Sequence, residues 1–166
     1  FTNRGYQDKE VYIESQIDRF LLTYSRDLMQ TQPYYNIIVC EKETLRPQLE
    51  RVTDKYGLPV VYSQGNSSIT IRHDMIADNQ LNGSRPMRIL VLSDFDPAGY
   101  RIQDSLIGSL KQDFNLNFPI EAYRIGITQQ QIDKYNLKTS IDAKKTDRQY
   151  QKFVDATGSA AAYELD

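Results

Sequence analysis

The sequence predicts an α/β fold: about four mostly parallel strands in one sheet, helices on its flanks, and a long helix at the N-terminus. Two observations lead there. Four apolar runs, "NIIVC" (36–40), "LPVVYS" (58–63), "RILVLS" (88–93) and "FPIEAYRIGI" (118–127), read as strands, the first short, rich in β-branched residues and so buried. Between them lie segments whose apolar residues recur at helical spacing. Strands that alternate with helices build a doubly wound sheet.

Each element follows from its own residues. Val11, Ile13, Ile17, Phe20, Leu21, Tyr24 and Leu28 recur at mostly helical spacing between Asp8 and Gln30, which predicts one long amphipathic helix. Pro33 ends it. Such a helix either joins the chain to a further domain or covers one face of the sheet, and the cover is preferred. After the first strand, Leu45, Leu49, Val52 and Tyr56 share one face of a helix that Gly57 stops. The second strand runs into a polar loop and then a helix, with Ser67 or Ser68 as its N-cap. "NGSRP" (82–86) is a turn cluster. The third strand, 88–93, leads to a helix over about 98–112. Beyond the fourth strand, Thr128 caps a short helix, "KTSIDAKKTD" is a charged loop, and 147–156 is a helix before an irregular end.

The 166 residues suit one domain of ordinary size with a real core. No stretch approaches the roughly 18 consecutive apolar residues of a membrane span, and the start has no signal-peptide pattern. Cys40 and His73 are the single cysteine and histidine, which excludes an internal disulfide and a cysteine-built zinc site. A reducing, cytoplasmic compartment is the natural expectation. With 20 basic and 22 acidic side chains the net charge is −2, not the basic balance of a typical nucleic-acid binder. A polyanionic partner would therefore need local basic patches or a bound metal. The chain opens on Phe1 and closes on "AAYELD", and we expect it to be a piece of a longer protein.

Three carboxylates carry the chemical signal. Glu41 follows "NIIVC", and Asp94 and Asp96 follow "RILVL" and Ser93. Each comes just after a predicted parallel strand, so all three should gather along the C-terminal edge of the sheet, where open α/β sheets bind ligands. Acids brought together repel one another unless a cation intervenes. Hard oxygen ligands of this kind suit Mg²⁺, which takes one or two carboxylates and keeps several waters. Like charges around Glu41 should raise its pKa toward a value useful for proton transfer. Acids at strand ends also serve as plain helix caps, and a lone DxD is a weak signal. Glu41, the DxD and the glycine-containing helix entry "DPAG" together are a stronger one.

"VCEKE" followed some fifty residues later by "LVLSDFDPAG" resembles the Toprim domain of topoisomerases, bacterial primases and OLD-type nucleases. The DxDPxG form is most similar to the A subunit of type IIB topoisomerases and to the meiotic break-forming transesterase. "YSQGNSSITIRHDM" resembles the glycine turn and helix after the second strand in that family. Residues 126–153 resemble the downstream part of bacterial and phage Toprim-like proteins of unassigned role. The likeness divides the chain into an N-terminal helical arm, 1–35, and a Toprim-like Rossmannoid domain, 36–166. It implies a metal-dependent nuclease or topoisomerase-like enzyme acting on DNA with Mg²⁺ or Mn²⁺. Glu41 would be the general acid/base or a further metal ligand, and Asp94 and Asp96 the metal ligands. Lys42, Gly65, Ser67, Lys144 and Lys145 would be the substrate contacts. Two departures stand out. Ala98 occupies the place of a third aspartate found in some Toprim enzymes, and about 35 residues before the first strand cannot form the winged-helix domain that carries a nucleophilic tyrosine.

Other residues have ordinary readings beside the functional ones. Tyr34, Tyr35 and Tyr100 fall near the expected site, yet tyrosine is mostly core or amphipathic surface. Lys42 offsets carboxylate charge, contacts a phosphate or is simply solvated. Lys144, Lys145 and Arg148 form either a DNA-backbone contact or a solvated loop. His73 is a surface residue or a substrate contact. Two further functions compete: a non-catalytic Toprim-like module that binds nucleic acid or protein, and a haloacid-dehalogenase-type phosphatase with its own DxD. The second fits poorly, because that family opens with its DxD and follows it with a small hydroxylic residue.

Overall fold

A computed structural model describes residues 8–23, 28–63, 68–139 and 141–165. The chain runs α1 (Lys9–Thr23), β1 (Tyr35–Cys40), a single 3₁₀ turn (Glu43–Leu45), α2 (Arg46–Tyr56), β2 (Val60–Tyr62) and α3 (Ile69–Leu81). It continues through β3 (Met87–Leu92), α4 (Pro97–Asp113), β4 (Ile120–Gly126), α5 (Gln129–Tyr135), β5 (Ile141–Asp142), α6 (Tyr150–Thr157) and β6 (Ala161–Ala162). Strands β1 to β4 form one sheet in the order β2-β1-β3-β4, every neighbouring pair parallel.

The caps explain several boundaries. The Asp8 carboxylate accepts the Val11 N–H at the start of α1, and the Ser68 hydroxyl accepts the Ile71 N–H at the start of α3. Thr128 and Gln131 form a reciprocal capping box on α5. Gly57, just past α2, takes the left-handed conformation that ends the helix.

Because β2 lies on one side of β1 and β3 on the other, the chain reverses direction in the sheet at β1 and β3. Right-handed crossovers then put α2 on one face and α3 with α4 on the other. The core sits on the α3/α4 face. There Ile37, Val39, Met87, Ile89 and Val91 of the strands are buried against Met75, Ile76, Ile102, Leu106 and Leu110. A second cluster beyond the C-terminal edge joins Phe95, Ile132, Ala143, Phe153 and Ala162.

Three expectations are corrected. The apolar residues of α1 are exposed, so the helix does not cover the sheet. The predicted charged loop and irregular end contribute β5 and β6, which pair antiparallel, and Tyr163 bridges to Phe95. Strands this short carry too little periodicity to be read, and long-range pairing decides them. Tyr34 and Tyr35 lie at the start of β1, on the edge opposite the acids, because the strand runs its full length between them and Glu41. Burial, reinforced by a hydrogen bond to Asp78, pushes the Tyr35 phenol far up.

Candidate functional site

Glu41, Asp94 and Asp96 come together at the C-terminal edge, where β1 and β3 lie side by side and the sheet order reverses. Open α/β sheets leave a ligand crevice at such a switch point. The Glu41 N–H donates to the Leu92 carbonyl (2.9 Å), extending the β1–β3 ladder one residue past the strand. The Glu41 side chain then reaches across, and its Oε2 accepts the Asp94 N–H (3.2 Å).

The "SDFDPAG" segment alternates strictly between inside and outside. Ser93 and Phe95 are fully buried, while Asp94 and Asp96 are only partly so. Phe95 is the anchor. Its ring meets Phe153, Tyr100 and Tyr163 edge-on at 5.1, 6.1 and 5.9 Å, and its backbone exchanges both hydrogen bonds with Tyr163 (2.8 and 3.0 Å). With that ring inside, both aspartates are held toward the edge. Asp96 caps α4, its Oδ1 accepting the Gly99 N–H at 2.6 Å, and Pro97 occupies the first turn where no N–H is needed. Gly99 answers a close approach: a Cβ there would lie 2.2 Å from the Asp94 carbonyl oxygen.

Each acid also has a partner of its own. Asp94 Oδ1 accepts the Leu165 N–H (2.7 Å) and faces the Lys42 ammonium (3.3 Å), which lies 4.0 Å from Glu164 as well. Lys42 thus offsets carboxylate charge. Burial raises the Glu41 pKa most; the Asp94 N–H and Lys42 act against the rise, while the charges of Asp94 and Asp96 add to it. The direction is the expected one, but desolvation outweighs like-charge repulsion. Among the described residues, no three His, Cys, Asp or Glu side chains converge tightly enough to form a metal-holding group.

Sequence reasoning missed Arg124, on β4. Its guanidinium reaches under the acidic segment and donates to the Ser93 hydroxyl (2.9 Å), to the carbonyls of Ser93 (3.0 Å), Gly99 (3.1 Å) and Ile127 (2.8 Å), and to that of Asp94. It also lies 4.9 Å over the Tyr100 ring. Burial lowers its pKa. An arginine that alternates onto the core side of an edge strand was the available signal. It needs partners, and here they are the Ser93 hydroxyl and the backbone carbonyls of the neighbouring loops.

The remaining candidates lie elsewhere or cannot be placed. Gly65 and Ser67 fall outside the described residues. Lys144, Lys145 and Arg148 are exposed between β5 and α6, and His73 is exposed on α3 beside Asp74 (3.3 Å). Tyr100 stands near the site, but its ring packs edge-on against Phe95 and Phe153. Compared with known proteins, the sequence matches no family model and no curated relative.

Proposed function

We propose that this edge is the metal-dependent phosphodiester-cleaving site of a DNA-processing enzyme of Toprim type. The observation that carries the reading is the meeting of Glu41 with Asp94 and Asp96 at the switch point of a parallel sheet. The donor set fits Mg²⁺ or Mn²⁺ in kind: all three groups are hard carboxylates, and Mg²⁺ needs only one or two from the protein. Asp94 and Asp96 would hold the ion, with Glu41 beside them. When bound, the ion supplies Lewis-acid stabilisation of charge on phosphate oxygens. Glu41, with its pKa raised, holds or releases the proton of the attacking or leaving oxygen. Arg124 and Phe95 position the acids without touching substrate. Lys42 and the exposed Lys144–Lys145 turn would meet DNA phosphates. The free, buried Cys40 supports action in the reducing cytoplasm.

One observation favours the second reading, a non-catalytic binding module. Asp94 already has Lys42 and the Leu165 N–H, and Asp96 already caps a helix. Plasmid nicking with Mg²⁺ and with Mn²⁺ separates the two. Joined to the further domains that the Toprim reading calls for, the wild type should nick, and Glu41→Gln and Asp96→Asn should each slow nicking by about 100-fold or more, with Glu41→Gln binding DNA nearly as wild type; the 166-residue chain by itself should nick weakly or not at all. Variants that nick as fast as wild type would overturn the catalytic reading. DNA binding without any nicking would favour the module.

A further inference from the structure

The face of the sheet opposite the core is only partly covered. Helix α2 lies over β1 and β2, where Ile38 and Cys40 are buried. Among the described residues, no helix covers β3 and β4 on that side. Leu90 and Leu92 are half-buried, and Tyr123 and Ile125 are 48% and 37% exposed. The near wall of this open strip is α2, which shows Val52 and Tyr56 next to Arg51 and Lys55, all exposed. A parallel sheet is ordinarily covered on both faces, so this strip lacks a helix.

Helix α1 has the complementary surface. Ile13, Ile17 and Leu21 form one apolar stripe, exposed by 52%, 53% and 66%. Glu10, Glu14 and Asp18 follow at four-residue spacing along its border, and Arg51 and Lys55 have the same spacing on α2. The segment after α1 is fixed at the other end of the sheet, where the Arg85 guanidinium donates to the carbonyls of Met29 and Gln32.

We infer that two copies of this chain exchange α1, each laying its Ile13–Ile17–Leu21 stripe on the open β3/β4 face of the other. The occupant is a second copy because stripe and face belong to the same sequence and do not meet within one chain. Reciprocal exchange then closes with two-fold symmetry and leaves neither surface open. The acidic border of α1 would lie along Arg51 and Lys55, which sets the direction of the helix in the strip.

Light scattering after gel filtration of the full chain at about 50 µM tests this, with a dimer expected. Ile17→Asp with Leu21→Asp, and separately Tyr123→Asp with Ile125→Asp, should each raise the dimer Kd by about 30-fold or more. All four positions are exposed, and circular dichroism checks that the variants fold. Mixing the two double variants should restore a dimer, because one of the two exchanged contacts is then intact. As a second measurement, Arg51→Glu with Lys55→Glu should weaken the dimer, and Glu14→Lys with Asp18→Lys should rescue it. A monomeric wild type overturns the inference. So does a dimer lost on changing α1 but kept on changing the β4 face, which would mean that α1 pairs with α1. A mixture that stays monomeric also overturns it.

Discussion

Replacing Arg124 with methionine removes five hydrogen bonds while keeping most of the side chain's length. The Ser93 carbonyl keeps the Ile127 N–H (3.0 Å), and the Gly99 carbonyl keeps the Ser93 hydroxyl (3.1 Å). The carbonyls of Asp94 and Ile127 have no such second donor among the described residues. Leaving a buried acceptor unmade costs about 1–3 kcal/mol, so for these two part-buried carbonyls roughly 2–6 kcal/mol is the upper bound. That is a large share of the ~5–15 kcal/mol that holds a domain together. At about 2–4 °C per kcal/mol for a chain of this size, Tm should fall by roughly 10 °C. Calorimetry in a chelating buffer measures it. Arg124→Lys, which keeps a cation with fewer donors, should fall between the two. Hydrogen exchange should quicken at the amides of residues 94–99 in the methionine variant. A Tm within about 2 °C of wild type, with unchanged exchange there, would refute the view that this guanidinium holds the acidic segment.

Phe95→Ala should cost about 3–5 kcal/mol, read as a lower urea midpoint, because the ring is fully buried against Phe153; a loss under about 1 kcal/mol would refute the anchor role. Gly99→Ala should destabilise by about 1–3 kcal/mol, since its Cβ would fall 2.2 Å from the Asp94 carbonyl oxygen; an unchanged midpoint would mean the turn yields without cost. The raised pKa of Glu41 gives a pH prediction for metal-free protein. The unfolded chain loses this proton first, so wild type should lose stability as pH rises from the ordinary carboxylate value of 4.5 through the higher folded one. Glu41→Gln should lack that component, and urea midpoints for the two proteins should diverge with rising pH; parallel curves would refute the assignment.

The strands β1 and β3, and the acids that follow them, were legible because local pattern and tertiary role agree. "NIIVC" and "RILVLS" are apolar enough to be buried in any packing, and whatever follows a buried parallel strand must emerge at its C-terminal edge. A cap at Ser67 or Ser68 and one at Thr128 were legible for the same reason: each hydroxyl bonds a backbone N–H three residues on, and the structure places the first at Ser68. Arg124 was not, since its partners lie up to 31 residues away in the chain.

The sequence by itself determined the α/β class, the alternation of elements and the presence of three carboxylates just past two strands, because these depend on periodicity and on nearest neighbours along the chain. Only the tertiary structure decided that Phe95 turns inward and leaves Asp94 and Asp96 at the edge. It alone brought Lys42 and Leu165 to Asp94, laid Arg124 beneath the segment and left α1 off the sheet. The physical reason is common to all of these. Each depends on which distant surfaces are left to be buried once the sheet has formed, and that is a property of the packed chain rather than of any window of its sequence.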